Sequence, residues 1–108
     1  MVTYMATTIP RTILIVDDDR NLLGLIKMRL ESSGYAVATA LNDREAKAAV
    51  AGNALDLAIV DLQLGEQDGI SLMEDLHKIS PGMPVIILTA HGSIESAVEA
   101  MRRGATTY

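Results

Sequence analysis

The chain has 108 residues, 49% of them apolar, and a formal net charge of -5. Those values describe one domain with a packed core, and the lack of any Cys excludes disulfides and thiolate metal sites. The acidic balance, the absence of Trp and Phe, and the lack of a basic cluster beyond Arg102-Arg103 argue against nucleic-acid binding by this segment.

The chain opens on MVTYMATTIP. No basic stretch precedes a long apolar one here, so this is not a secretory signal. Residues 1–11 are expected to be a disordered or extended leader, and residues 12–108 the folded domain. No apolar run approaches the roughly 18 residues of a membrane span, so no membrane partner is expected, and the cysteine-free composition fits a cytoplasmic setting.

The first predicted strand is Thr12–Val16, TILIV, and three acids follow it at once: Asp17, Asp18 and Asp19. Leu22, Leu23, Ile26 and Leu30 then recur at helical spacing, with Gly34 as the stop. AVATA (Ala36–Ala40) is the second strand. The second helix starts at Asn42, with Glu45 as its capping partner, and ends near Gly52. LAIV (Leu57–Val60) is the third strand, and Asp61 leaves its end. Ile70, Met73, Leu76 and Ile79 mark a third helix, stopped by Pro81-Gly82. VIIL (Val85–Leu88) is the fourth strand, followed by Thr89. Ile94, Ala97, Val98 and Met101 mark a fourth helix, with Ser93 as N-cap and Gly104 as stop.

Strands alternating with helices, three of the strands almost continuously apolar, imply an α/β fold: a doubly wound parallel sheet covered on both faces. Ligands of such sheets bind beyond the carboxyl ends of the strands. Asp17, Asp18, Asp61 and Thr89 all leave those ends, so they fall on one rim. Asp19 is expected to be a turn residue or helix N-cap, and any one of the rim acids alone would be read the same way. Their convergence at several strand ends points instead to a site. Clustered carboxylates raise each other's pKa, and a divalent cation relieves the conflict. Oxygen-only ligands select a hard ion, and Mg²⁺ suits a site of few carboxylates that keeps water for a phosphate to replace. A lone Asp beside Mg²⁺ can attack phosphorus and form an acyl phosphate.

ILIVDDD, LAIVDLQLGEQDG, VIILTAHGS and AMRRGATTY resemble the receiver domain of bacterial two-component response regulators, over about Ile13 to Tyr108. The resemblance implies a flavodoxin-like strand order, 2-1-3-4-5. It implies Asp61 as phospho-acceptor and Asp18 as a direct metal ligand. Asp17 would act largely through water, and the Gln63 backbone carbonyl would be a further ligand. It also implies Thr89 as switch hydroxyl, Tyr108 as switch aromatic, and Ala90 as the small residue that leaves room for phosphate. The partners it implies are a sensor histidine kinase and the protein's own output domain. TAHGSIESAVEAMRRGA looks most like receivers of σ54-type transcription activators, so that output would be transcriptional.

Three departures from the family accompany the match. Receivers usually carry a phosphate-binding Lys-Pro pair a few residues beyond the position of Tyr108, and this sequence stops first. The fifth strand is therefore expected to be incomplete and the fifth helix missing, which predicts a marginal domain prone to homodimerise through its fourth strand and helix. Lys27, Lys47 and Lys78 lie in predicted helices and are poor substitutes. Gly65 stands where Pro is common and is expected to loosen its loop.

His77 is expected on a solvated surface, and His91 at the pocket mouth is evenly balanced between a modulating and a plain loop role. The six Met read mainly as core packing, and Arg102-Arg103 as a response to the helix dipole. Two other functions compete. A haloacid-dehalogenase-type Mg²⁺ phosphatase would use Asp17 and Asp19 as its Asp-x-Asp, although Asn21 stands where Thr or Val belongs. A receiver-like interaction module that takes no phosphate would fit the missing Lys.

Overall fold

A computed structural model describes residues 11–89 and 94–107, the side chains of 94–96 excepted. The described chain runs β1 (Thr12–Val16), α1 (Arg20–Ser32), β2 (Ala36–Ala40), α2 (Asp43–Gly52), β3 (Leu57–Asp61), β4 (Gln63–Leu64), β5 (Gln67–Asp68), α3 (Gly69–Ile79), β6 (Val85–Leu88) and α4 (Ile94–Arg102). The long strands form a parallel sheet in the order β2-β1-β3-β6. This is the expected order, with β6 as the fourth long strand. Thr107 continues it through an isolated parallel bridge to Ile86. β4 and β5 are a small antiparallel hairpin inside QLGEQDG, which strand periodicity did not foresee.

Side chains of β1 alternate between the two faces. Leu14 and Val16 join Ala58, Val60, Val85 and Ile87 under α2 and α3, where Leu72, Met73 and Leu76 are fully buried. Ile13 and Ile15 face the other way and pack with Leu23, Ile26 and Leu30 of α1. That second face also carries an apolar trough of about 490 Å³ bordered by Ile13, Leu30, Tyr35, Leu57, Ile59 and Ile86.

The helix ends follow the sequence signals. Asp19 caps α1 by accepting from the Asn21 and Leu22 amides. Asn42 caps α2 by accepting from Glu45, whose carboxylate accepts in turn from Leu41. Gly34 (φ +97) and Gly104 (φ +120) each follow a helix in a left-handed conformation. In both, the next residue donates back to the carbonyl five before it, Tyr35 to Leu30 and Ala105 to Ala100, as a Schellman cap requires.

Four apolar residues read as core-facing are exposed: Leu22, Ile79, Val98 and Met101. Helical spacing puts residues on one stripe, but the stripe is wider than the surface that covers it. Of the described Met, Met73 and Met83 are buried, while Met28 and Met101 are exposed. Ala100 is the buried apolar residue of α4 among the described side chains. Arg103, just past α4, donates to Glu74 of α3 and pairs with Glu99, so it ties two helices together rather than answering a dipole alone. His77 is half-buried, not solvated, with Nε2 2.9 Å from the Met83 carbonyl. Among the described residues no helix is long and apolar enough to cross a membrane.

Candidate functional site

Asp17 and Asp18 leave β1, and Asp61 is the last residue of β3. The β1–β3 register pairs Val16 with Val60, which puts Asp17 level with Asp61, the next residue of each chain segment. The three carboxylates come together there, with one oxygen from each lying within 4.8 Å of the others. Asp17 is buried, Asp61 half-buried and Asp18 exposed. Thr89 follows Leu88, whose β6 position is paired with Asp61. Asp17, Asp61 and Thr89 line one small pocket of about 250 Å³, walled by the apolar side chains of Leu22 and Leu88. Leu22 thus sits at the pocket rather than in the core. Its helical spacing gave no sign of that place.

Backbone amides aim the acids. Asp19 N–H donates to Asp17 Oδ1 at 2.9 Å, and Gln63 N–H to Asp61 Oδ1 at 3.2 Å. Gly65 N–H donates to Asp18 Oδ2 at 2.9 Å. Gly65 has φ +62 and opens the two-residue turn of the β4–β5 hairpin, where positive φ is what a II′-type turn needs. The glycine therefore docks this loop against Asp18 instead of loosening it. Gly69 lies against the acceptor strand, because a Cβ there would sit 2.0 Å from the Asp61 carbonyl oxygen.

Burial pushes the Asp17 carboxyl above its ordinary range, and the charges of Asp61, Asp18 and Asp19 add to the shift against the Asp19 amide. Burial likewise raises Asp61, with Asp18 adding and the Gln63 and Leu62 amides opposing. Charge crowding in a partly dry pocket is what a cation relieves, and these oxygen donors form a set that can hold a divalent ion.

The model of the response regulator receiver domain matches residues 13–108. This chain belongs to that family. Among its relatives, the receiver matches the transcriptional regulatory protein GlrR of Escherichia coli K12 at 46% identity, covering 92% of this chain and 22% of the relative. It matches the alginate biosynthesis transcriptional regulatory protein AlgB of Pseudomonas aeruginosa at 40%, covering 89% of this chain and 21% of that one. The chain thus spans about a fifth of the length of these curated relatives. A solved CheY-like receiver domain from Methanospirillum hungatei superimposes with a TM-score of 0.86 at 37% identity, covering 93% of this chain and 80% of that one. A Burkholderia pseudomallei response regulator, solved with a phosphorylated aspartic acid, a calcium ion and citrate, gives 0.83 at 35%, covering 88% of this chain and 56% of that one.

Receiver domains are signalling modules rather than enzymes, so the comparisons favour this reading over the dehalogenase-type alternative. The local structure agrees: Asp19, the second acid of that Asp-x-Asp, is the N-cap of α1. Lys27, Lys47 and Lys78 sit on helices, and none lines the pocket. Residues 1–10, Ala90, His91, Ser93 and Tyr108 lie outside the described residues.

Proposed function

We propose that this receiver takes a phosphoryl group from a sensor histidine kinase onto Asp61 and thereby switches an output domain. The observation that carries the reading is the meeting of the Asp17, Asp18 and Asp61 carboxylates beside Thr89 at the strand ends. An Asp61 carboxylate oxygen attacks phosphorus, the phosphorus–nitrogen bond of the kinase's phosphohistidine breaks, and the imidazole leaves with the electron pair. The product is an acyl phosphate. Mg²⁺, when bound, neutralises charge on the phosphoryl oxygens. Asp17, Asp18, Asp61 and the Gln63 carbonyl would hold it. The crowded, partly buried carboxylates fit such an ion, and oxygen donors favour Mg²⁺ or Ca²⁺ over softer metals.

The new group adds roughly -1.5 to -2 charge and three acceptor oxygens. Thr89 donates its hydroxyl to it, and Tyr108 follows into the space Thr89 leaves. The signalling unit is taken as residues 12–108, in a cytoplasmic protein. The transcriptional relatives and the likeness to σ54-type receivers support a transcriptional output. This segment itself binds no nucleic acid, and a homodimer through β6 and α4 is a further expectation.

Acetyl phosphate and beryllofluoride test the reading. Asp61 should be the labelled residue, stoichiometrically and only with a divalent cation present, and p-nitrophenyl phosphate should not be turned over. Stoichiometric phosphate on an Asp61→Asn variant sinks the mechanism. A wild type that folds, binds Mg²⁺ and takes no label favours the interaction module instead.

A further inference from the structure

Each of the three rim carboxylates accepts a backbone N–H, but not from the same source. Asp17 and Asp61 accept from residues two positions downstream, so their own turns aim them. Asp18 is the exposed member of the cluster, and its donor lies 47 residues away, at Gly65. An exposed carboxylate samples several rotamers, and fixing one costs entropy when a ligand is bound. The Gly65 amide meets that cost in advance.

Two properties of residue 65 make the contact. Its φ of +62 turns the N–H toward Asp18, and it carries an N–H to turn. Empty space is not the requirement, since a Cβ at this position would lie an ordinary 3.8 Å from Asp18 Oδ2. A Pro at this place would supply neither property. The β4–β5 pairing, Gln63 with Asp68 and Leu64 with Gln67, holds the amide in place from both sides.

We propose that Gly65 is a positioning residue: its N–H fixes the Asp18 carboxylate in the orientation that binds a divalent cation, so this chain builds its metal site with a hairpin amide. The inference rests on the reading of Asp18 as a metal ligand. Loss of a hydrogen-bond partner of a metal-binding side chain typically weakens metal affinity by about 10- to 100-fold.

The test is a Mg²⁺ titration followed by NMR on the wild type, Gly65→Asn, Gly65→Pro and Asp18→Ala, with melting temperatures recorded for each. Asn keeps the N–H but strains the turn, so Gly65→Asn should melt lower than wild type yet lose less Mg²⁺ affinity than Gly65→Pro. Gly65→Pro should bind about tenfold more weakly. Pro-variant affinity equal to wild type, with Asp18→Ala silent, overturns the positioning role and leaves the metal reading intact. A wild type that binds no Mg²⁺ overturns the metal reading and this one with it. A readout in the metal-free protein does not depend on the Pro variant folding. The Gly65 amide proton should exchange slowly in the wild type and fast in Asp18→Ala. Open-chain exchange of that amide in the wild type overturns the proposal.

Discussion

Leu62 is bonded on both sides of its peptide: its N–H donates to the Leu88 carbonyl at 2.9 Å, and its own carbonyl accepts from Gly69 N–H at 2.7 Å. β3 and β6 therefore stay stitched one step past Asp61, and α3 starts directly against that seam. Gly69 allows it, since any side chain there runs into the Asp61 backbone. Gly69→Ala should cost about 3 kcal/mol or more, as severe overpacking does. Urea unfolding measures it, and a loss under about 1 kcal/mol would mean the seam opens cheaply.

Removing a direct ligand gives the second prediction. Asp18→Ala leaves two carboxylates at the rim and should abolish Mg²⁺ binding. Calorimetry or NMR shifts of residues 61–65 would report it. An unchanged titration removes Asp18 from the site.

The pH dependence follows from the two raised carboxyls. Asp17 and Asp61 have folded pKa values above their ordinary 3.8. A raised group adds stability that is fully present below the unfolded pKa and is lost as pH rises through the folded one. Without metal, these two acids should therefore favour the fold in acid and oppose it at neutral pH. Asp17→Asn and Asp61→Asn should each raise the neutral-pH melting temperature in chelator. The gain should shrink toward pH 4 and when Mg²⁺ is added to the wild type. Equal melting temperatures for wild type and variants at neutral pH in chelator would falsify this account.

The fourth prediction concerns α4. Its described side chains bury little, and Arg103 links it to Glu74 on α3, which the guanidinium holds below the usual carboxylate range. Glu74→Gln should loosen α4 selectively: its amides should exchange faster while those of α2 keep their rates. The difference from wild type should fade at high salt, because the pair is partly exposed. Unaltered α4 exchange at low salt would show that packing alone seats this helix.

Much of this architecture was legible in the residues. Thr12–Val16, Ala36–Ala40 and Val85–Leu88 are strands over the very ranges their apolar runs mark. Asp19, Asn42, Gly34 and Gly104 end their helices because caps are local chemistry, readable over four or five residues. The rim acids were legible for a related reason: once the strands are known, their ends are known. What escaped is what depends on distant neighbours. Two-residue strands carry no periodicity, so the hairpin within QLGEQDG was invisible. The Gly65–Asp18 bond joins residues 47 apart, and no local pattern announces it. Leu22 and Val98 show the other limit, since periodicity places a side chain on a stripe without saying what lies opposite.

The trough on the α1 side of the sheet bears on how this protein can be watched. It is concave, lined by Ile13, Leu57, Ile59 and Ile86, and bordered by one residue of each charge, Arg11 and Asp56. An environment-sensitive dye finds there an apolar wall while the fold is intact. Dye fluorescence is usually taken as a signal of loosened packing. Here it should be bright from the first reading of a melt, and its changes would follow occupancy of this surface as much as loss of structure. Circular dichroism or intrinsic probes would then give the cleaner transition.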